Sequence, residues 1–431
     1  MTWIMNVPVL LKILVSLLLI ITLNRKLSNQ FIAICAGTLV LAFWAGHSPA
    51  SAAEVAAARL GNPDNILLLI VISTIIALSS QMKECGIMDD LVRKLTASFS
   101  NIVSMAVLPA VIGLLPMPGG AVFSAPLVDK CDGSTKVDPL LKSQINYWFR
   151  HIWEYWWPLY PGVLLAIEIS GLSVGQFMLY LFPVSIVSAA GASFFLLRKA
   201  APALKEPEEG CEDDVDSSIL FLLSPILIVI GCYAVINTFL PAVGGFSRYL
   251  PILSGIVLSI VYLQIIRPVK AECWKKIILS KKLIMLVLLV AAIRVYGAFI
   301  EGGVPGGELL MDLLRSELAA AGISPYFLIM LVPFFCGVST GIAIGTVGAA
   351  FPIVMSILGP DPSYAQLIST TALAYSFGHV GQLMSPVHVC LLVSNDYFEV
   401  GLGKSMAGLI KPTIVVLTAG FLLSRLYLAV L

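Results

Sequence analysis

Long apolar runs separated by short polar loops follow one another along the whole chain. In the first half the runs are Val9–Leu23, Phe31–Trp44, Ile66–Met82, Leu141–Ile169 and Val174–Leu197. In the second half they are Ile219–Leu240, Leu250–Ile266, Leu283–Ile300, Ala365–Val393 and Met406–Leu428. Most of them approach the ~20 residues that an α-helix needs to cross a bilayer, so the pattern predicts about ten transmembrane helices.

Two further apolar segments are interrupted in the middle. Ile102–Val128 is broken by Pro116-Met-Pro-Gly-Gly120, and Tyr326–Leu358 is broken at Ser339-Thr-Gly341. Each arm of the first segment is about half a membrane thick at 1.5 Å per residue. Prolines and glycines at the turn leave too few backbone hydrogen bonds for a continuous helix, so we predict re-entrant hairpins. The alternative is one long helix with a kink.

The composition of the chain places these helices in lipid rather than in a soluble core. Of the 431 residues, 58% are hydrophobic and only 12% are charged, whereas soluble domains carry roughly 25% charged residues. We therefore expect a lipid bilayer around the protein. The net charge of +1 gives no reason to expect a nucleic-acid partner. The eight cysteines show no C-x-x-C spacing, so neither a metal cluster nor a disulfide framework is predicted.

Lysine and arginine are concentrated in one alternating set of loops. This set holds Arg25, Lys26, Lys83, Arg93, Lys94, Lys130, Lys136, Lys142, Arg198, Lys199, Lys205, Arg267, Lys270, Lys275, Lys276, Lys281, Lys282 and Lys404. The other set holds only Arg59, Arg248 and Arg315. Basic loops stay in the cytoplasm. We therefore predict a multi-pass protein of the inner (plasma) membrane with both termini outside.

A short motif occurs twice, once in each half of the chain. The stretch Phe149–Pro158 resembles Phe377–Pro386, because both have histidine two residues after the phenylalanine and proline at the end. The interrupted segments correspond as well, since Pro109 and Gly113 match Pro333 and Gly337. Two such matches in the same order indicate an internal repeat.

The repeat leads to a specific fold prediction. Five spans and one hairpin per copy give an odd number of crossings, so the second copy must be inverted. We predict an all-α polytopic membrane protein with two inverted repeats. Their parts are a first repeat 1–205 (hairpin 102–128, broken helix 141–169), a cytoplasmic linker 206–217, and a second repeat 218–431 (hairpin 326–358, broken helix 365–393). Inverted repeats with broken helices are typical of secondary transporters.

Ionisable residues inside the broken helices are the first candidates for function. Ion coupling is expected of His151, Glu154, His379 and His388, because ionisable groups at membrane depth are costly and usually functional. Gln382 occupies in the second copy the position of Glu154. The competing interpretation is that the histidines donate to backbone carbonyls and only hold the helices together. No cofactor is predicted beyond H⁺ or Na⁺ as the coupling ion.

Neutral hydrogen-bonding groups near the breaks are the candidates for substrate binding. They are Pro118, Gly119, Gly120, Ser124, Asn146, Ser339, Thr340, Gly341, Gln382 and Ser385. Glycines allow close backbone approach, and the N-termini of helices attract anions. Arg150 and Arg294 could each hold a carboxylate. Equally, Arg150 could extend toward the cytoplasmic face, and Arg294 could pair with a residue such as Glu301.

These segments resemble a known superfamily. The two inverted repeats, each with a hairpin and an interrupted helix, resemble the ion transporter superfamily, which includes the divalent anion/sodium symporters and the citrate, gluconate and lactate permeases. The stretches Leu115–Ala121 with Ser124-Ala-Pro126, and Ser385–Val389, look most like domain-of-unknown-function family 401. The resemblance implies an elevator-type mechanism and a homodimer. The Ser-Asn-Thr motif of the sodium/dicarboxylate branch is absent from both hairpin tips, so the resemblance implies neither sodium nor a dicarboxylate.

We therefore expect a secondary active transporter of a small organic anion (carboxylate), coupled to protons or sodium, and not an enzyme. One alternative is a transporter or exporter of a metal cation bound by His151, Glu154 and His379. An intramembrane metalloenzyme is less favoured, because the chain has no H-E-x-x-H helix. A channel is a further alternative. Support for it would require an observed ion flux that is not coupled to any gradient.

Overall fold

The computed structural model describes residues 7–27, 29–98, 100–116, 120–132, 137–204, 217–302, 310–359 and 361–431. Over these ranges the protein is all helical and contains no β-strand. The helices of the first half are α1 (Val9–Leu27), α2 (Gln30–Trp44), α3 (Pro49–Gly61), α4 (Pro63–Glu84), α5 (Ile87–Ser98), α6 (Asn101–Gly113), α7 (Ala121–Lys130), α8 (Pro139–Arg150), α9 (Pro161–Ser170) and α10 (Val174–Ala200). The predicted linker lies almost wholly outside the described residues.

The second half continues with helices of similar length. They are α11 (Ile219–Phe239), α12 (Pro241–Phe246), α13 (Leu250–Ile266), α14 (Ala271–Ile278), α15 (Lys281–Glu301), α16 (Leu310–Ala320), α17 (Pro325–Thr340), α18 (Ala343–Leu358), α19 (Tyr364–Leu383), α20 (Val389–Tyr397) and α21 (Leu402–Val430). Polar caps explain several starts. Ser173 and Ser363 each form a reciprocal capping box with a glutamine three residues later, at the first turns of α10 and α19.

Several helices have the length and apolarity of membrane spans. Five described helices qualify, namely α4, α10, α11, the stretch Ala271–Glu301 that contains α14 and α15, and α21. A sixth span results if α16 and α17, which meet at 113°, are counted together. Large apolar side chains lie exposed on these and neighbouring helices, among them Leu220, Phe239 and Ile265. Such surfaces are rare in water, and they agree with the prediction of a helical membrane protein.

The helices pack in two groups, and each group draws on both halves of the chain. We call α6–α10 with α17–α21 the core group, because they contact one another throughout. We call α1–α5 with α11–α15 the frame group, which is held together by pairs such as α2 with α15 and α4 with α13. The two groups meet chiefly where α15 packs on α18 and α5 on α6, with smaller contacts of α1 with α17 and of α4 with α9. Each half thus contributes its early helices to the frame and its late helices to the core.

Glycines bring α6 and α17 into backbone contact with their neighbours in the core group. A Cβ added to Gly113 would overlap the carbonyl oxygen of Arg150 in α8, and one added to Gly337 would overlap the carbonyl oxygen of Gly378 in α19. Gly381 makes a similar approach to the carbonyl of Phe334. Residues without a side chain are required for this spacing. The first helices of the two interrupted segments, α6 and α17, therefore pack directly against the broken helices.

Candidate functional site

Two helices of the core group are interrupted in the interior of the protein. After α8 ends at Arg150, the chain makes one 3₁₀ turn (Ile152–Tyr155) and an irregular stretch before α9 begins at Pro161. After α19 ends at Leu383, residues 384–388 precede α20. Pro158, Pro161 and Pro386 lie in or at the end of these breaks and cannot donate a backbone hydrogen bond. The breaks expose polar backbone groups deep in the molecule.

A matched pair of tyrosines joins the two breaks. The hydroxyl of Tyr147 in α8 donates to the carbonyl of Leu383 at 2.9 Å. The hydroxyl of Tyr375 in α19 donates to the carbonyl of Glu154 at 2.8 Å. Both tyrosines stand two residues before the phenylalanine of the repeated motif. Each broken helix therefore satisfies a carbonyl that the other leaves unpaired.

Ionisable side chains converge at the same crossing. Nε2 of His151 lies 3.1 Å from Nε2 of His388 and 3.8 Å from Oε1 of Glu154. Oε2 of Glu154 lies 3.8 Å from Nδ1 of His379 and accepts a hydrogen bond from Gln382 at 2.9 Å. All five side chains are buried. The structure therefore brings together the four residues that the sequence suggested for ion coupling.

A small cavity lies beside His379. It has a volume of about 10 Å³ and is lined by Thr346, Tyr375, His379, Gln382 and a few apolar residues. Neither ring nitrogen of His379 has a hydrogen-bond partner among the described residues. A cavity of this size holds about one water molecule or a small ion.

In the first interrupted segment, the start of α7 lies against Arg150. Pro118 and Gly119, two of the predicted substrate residues, lie outside the described residues. Gly120 is described, and a Cβ there would overlap the guanidinium of Arg150, which is buried. The Ser124 hydroxyl lies within its own helix, 3.4 Å from the carbonyl of Gly120. Arg150 therefore lies against the turn between α6 and α7 and does not extend toward the surface.

The second interrupted segment turns at Gly341, next to the break between α19 and α20. Gly341 has a φ of +66°, in the left-handed region that favours glycine. A Cβ there would lie 3.0 Å from Oγ of Ser385 and 3.1 Å from the backbone nitrogen of His388. Ser385 donates in turn to the carbonyl of Val338 at 2.6 Å. The turn of this segment therefore rests on the second break.

A large cavity separates the frame group from these two turns. Its volume is about 900 Å³. The wall from the core group includes Pro116, Phe123, Ser339, Thr340, Ile342, Val387 and Val389. The wall from the frame group carries the charged residues Arg25, Lys83, Glu84, Lys276 and Lys282. The four basic residues all come from the set of segments that the sequence analysis predicted to be cytoplasmic, and the fold gathers them around one cavity.

Residues 7–430 match the family described as a protein of unknown function, DUF401. The chain belongs to the DUF401 family. Among the curated proteins, none matches the chain. The DUF401 match spans both interrupted segments, both broken helices and every residue that lines the cavity.

Some of the residues predicted for the site of this DUF401 chain have other partners. Asn146 donates to the hydroxyl of Ser394 at 2.8 Å and lines neither cavity. Arg294 pairs with Glu168 at 2.9 Å and not with Glu301, which pairs instead with Arg59. Arg294 and Arg59 are therefore each paired with a glutamate of the protein itself. Arg294 has a structural partner on α9, and it lines neither cavity.

The sequence analysis missed three groups of residues at the site. The tyrosines Tyr147 and Tyr375 could have been found, since both stand at the same position of the repeated motif. The thiol of Cys390 lies beside His151 and His388, but nothing in its local sequence marks it. The basic residues of the cavity wall come from four separate helices, α1, α4, α14 and α15, and only the packing of these helices shows that they face one space.

Proposed function

We propose that this protein is a secondary active transporter of a small organic anion, such as a carboxylate, coupled to protons or sodium. One observation carries the proposal. A cavity of about 900 Å³ lies between the frame group and the core group and reaches the turns of both interrupted segments. Broken helices that meet at such a cavity are the recurring site of substrate and ion binding in transporters.

The charges around the cavity favour an anion. Arg25, Lys83, Lys276 and Lys282 line it, against the single acidic residue Glu84. A cleft with one sign of charge and low-dielectric walls raises the local concentration of the oppositely charged solute. Ser339 and Thr340 also line the cavity, at the C-terminal end of α17. The Thr340 hydroxyl donates to the carbonyl of Cys336 at 2.8 Å, so the Ser339 hydroxyl is the neutral donor that we assign to a carboxylate that has passed the basic mouth.

The packing supports an elevator-type mechanism acting on two inverted repeats. Each group contains equivalent parts of the two halves, which is the arrangement expected if the core group moves against the frame group. The cavity opens at the ends of α1 and α4 and at the start of α15, where basic residues indicate the cytoplasm. We infer that this conformation is open to the cytoplasm, in an inner membrane protein with both termini outside.

The first test is ligand stabilisation of the detergent-purified protein. Acetate, lactate, succinate and citrate are added at two pH values, with and without sodium, and the melting temperature is recorded. A ligand that binds only the folded state raises this temperature by mass action. We expect one carboxylate class to raise it in the wild type, and its uptake into proteoliposomes to follow a gradient of H⁺ or Na⁺.

Neighbouring lysines provide a matched control. Lys276 and Lys282 line the cavity, whereas Lys275 and Lys281 stand next to them in sequence and do not. We expect the double variant K276Q/K282Q to raise the KM for the carboxylate by about 3- to 10-fold at low salt, because the attraction at the mouth is weakened. K275Q/K281Q should leave KM unchanged. Equal effects of the two variants, or no stabilisation by any carboxylate, would contradict the proposal.

A further inference from the structure

Three side chains whose nitrogen or sulfur atoms can bind a metal ion meet where the two broken helices cross. One donor nitrogen each from His151 and His388, and the sulfur of Cys390, lie within 4.8 Å of one another. The three residues are buried. His151 comes from the first break, and His388 and Cys390 stand at the start of α20, after the second break. The donors therefore come from both halves of the chain.

The hydrogen bonding of His151 directs its lone pair toward the other donors. Nδ1 of His151 lies 2.6 Å from the carbonyl oxygen of Tyr147, which only accepts hydrogen bonds. Nδ1 must therefore carry the proton, and in the neutral ring Nε2 is an acceptor that faces Nε2 of His388 at 3.1 Å. A backbone carbonyl that fixes the far nitrogen is the usual support of a metal-binding histidine.

The separations are close to those around a bound metal. For tetrahedral zinc with ~2.0 Å bonds to nitrogen and ~2.3 Å bonds to sulfur, neighbouring donors stand roughly 3.3–3.6 Å apart. The two histidine nitrogens are already near this spacing at 3.1 Å. The largest separation in the cluster, at most 4.8 Å, needs to close by about 1 Å. Rotation of the short Cys390 side chain can supply that movement.

We propose that His151, His388 and Cys390 form a binding site for a thiophilic transition-metal ion such as Zn²⁺. Two imidazoles and one thiolate select such ions over Mg²⁺ and Ca²⁺, which prefer oxygen ligands. Three protein ligands leave the fourth position to water or to a ligand from outside. The Cys390 thiol gives up its proton as the Cys390–metal bond forms, and this proton passes to solvent. A bound ion would join the two broken helices directly.

The large cavity lies close to this site. His388 stands between Val387 and Val389, which both line the 900 Å³ cavity, whereas none of the three metal donors lines it. The donor set differs from the His151, Glu154 and His379 expected from the sequence, because His388 and Cys390 take part and neither Glu154 nor His379 belongs to the cluster. The inference is independent of the transported substrate.

Cobalt absorption tests the site directly. Co²⁺ is added to the full-length protein in detergent, after treatment with chelator, and the near-ultraviolet spectrum is recorded. A thiolate bound to Co²⁺ gives an intense charge-transfer band that imidazole and carboxylate ligands do not give. We expect this band at one ion per chain, its displacement by Zn²⁺, and the release of about one proton per bound ion.

Two cysteine variants separate this site from any other thiol. Cys390→Ser should abolish the band, whereas Cys336→Ser, a buried cysteine of α17, should retain it. Size-exclusion chromatography and helical circular dichroism verify that both variants are folded. Absence of the band in the wild type, or its persistence in Cys390→Ser, would overturn the proposal. The carboxylate assays are run in the presence of chelator, so failure of the metal site leaves the proposed anion transport independently tested.

Discussion

At the scale of single residues, the spacing of the core group depends on a few glycines. Gly113 and Gly337 stand at equivalent places of the two interrupted segments and contact the carbonyls of Arg150 and Gly378. A methyl group at either position cannot be accommodated unless the two backbones separate. Tightly packed interiors transmit such displacements to their neighbours.

We therefore expect Gly113→Ala and Gly337→Ala to lower the free energy of unfolding by about 1–3 kcal/mol each. Gly231→Ala in α11 is the control, because a Cβ at that position meets no atom within 4 Å. In the control, alanine should be neutral or stabilising by about 0.5–1 kcal/mol, since glycine is the poorer helix former. Denaturant unfolding of the purified variants measures all three. Equal stability of the core and control variants would show that the backbone contacts are looser than described.

The sequence alone identified some residues of the site and not others. His151 and His379 could be found because both belong to a motif that occurs twice. Cys390 was not identified, although His388 is only two residues before it, because the second histidine of the cluster, His151, is more than two hundred residues away and that contact exists only after folding. The position of Arg150 against Gly120 was likewise invisible, since both the surface and the interior are within reach of a long side chain.

At the scale of helices, the two breaks are held by reciprocal bonds. Tyr147 donates to the carbonyl of Leu383, and Tyr375 donates to the carbonyl of Glu154. Both hydroxyls and both carbonyls are in the interior, where water does not replace a lost partner. A buried polar group without a partner costs about 1–3 kcal/mol.

The variants Tyr147→Phe and Tyr375→Phe test this reciprocity. Each should lower the free energy of unfolding by about 1–2 kcal/mol, and the two losses should be similar. Tyr326→Phe in α17 is the control, since among the described residues its hydroxyl has no hydrogen-bond partner. Thermal unfolding in one detergent compares the three. A large loss in only one of the two test variants would mean that the breaks are stabilised by different means.

The helices themselves were predictable to differing degrees. The apolar run Leu250–Ile266 coincides with α13, because a long uninterrupted run leaves no other interpretation. The short helices α3, α5 and α16 were not predicted. They have only 11 to 13 residues and mixed polarity, and their stability depends on packing against neighbours more than on their own sequence.

At the scale of the whole molecule, one buried ion pair joins the two groups of helices. Glu168 of α9 belongs to the core group, and Arg294 of α15 belongs to the frame group. Tyr249, which directly precedes α13, also donates to Glu168, and Arg294 donates to Asn65 of α4. Side-chain exposure of the pair is 7% and 8%, whereas that of Arg59 and Glu301 is 23% and 30%. No pattern along the sequence distinguished these two pairs.

This difference in burial leads to a difference in stability. Glu168→Gln leaves the buried Arg294 without a counter-charge and should cost about 3–5 kcal/mol. Glu301→Gln removes a more exposed partner and should cost less than about 1 kcal/mol. Unfolding of the two variants by heat and by denaturant provides the comparison. Similar losses from both would indicate that water reaches Arg294.

The size of the large cavity has a consequence for inhibition. At about 900 Å³ it falls within the ~300–1,000 Å³ range of pockets that accommodate drug-sized molecules. Beyond its basic mouth it also has apolar walls, formed by residues such as Ile76, Leu286 and Leu289. A compound with a carboxylate at one end and a bulky apolar body would fill this space, entering from the cytoplasmic side in the orientation proposed above. Such a compound would block the cavity, held by the same basic residues that we propose to attract a smaller anion.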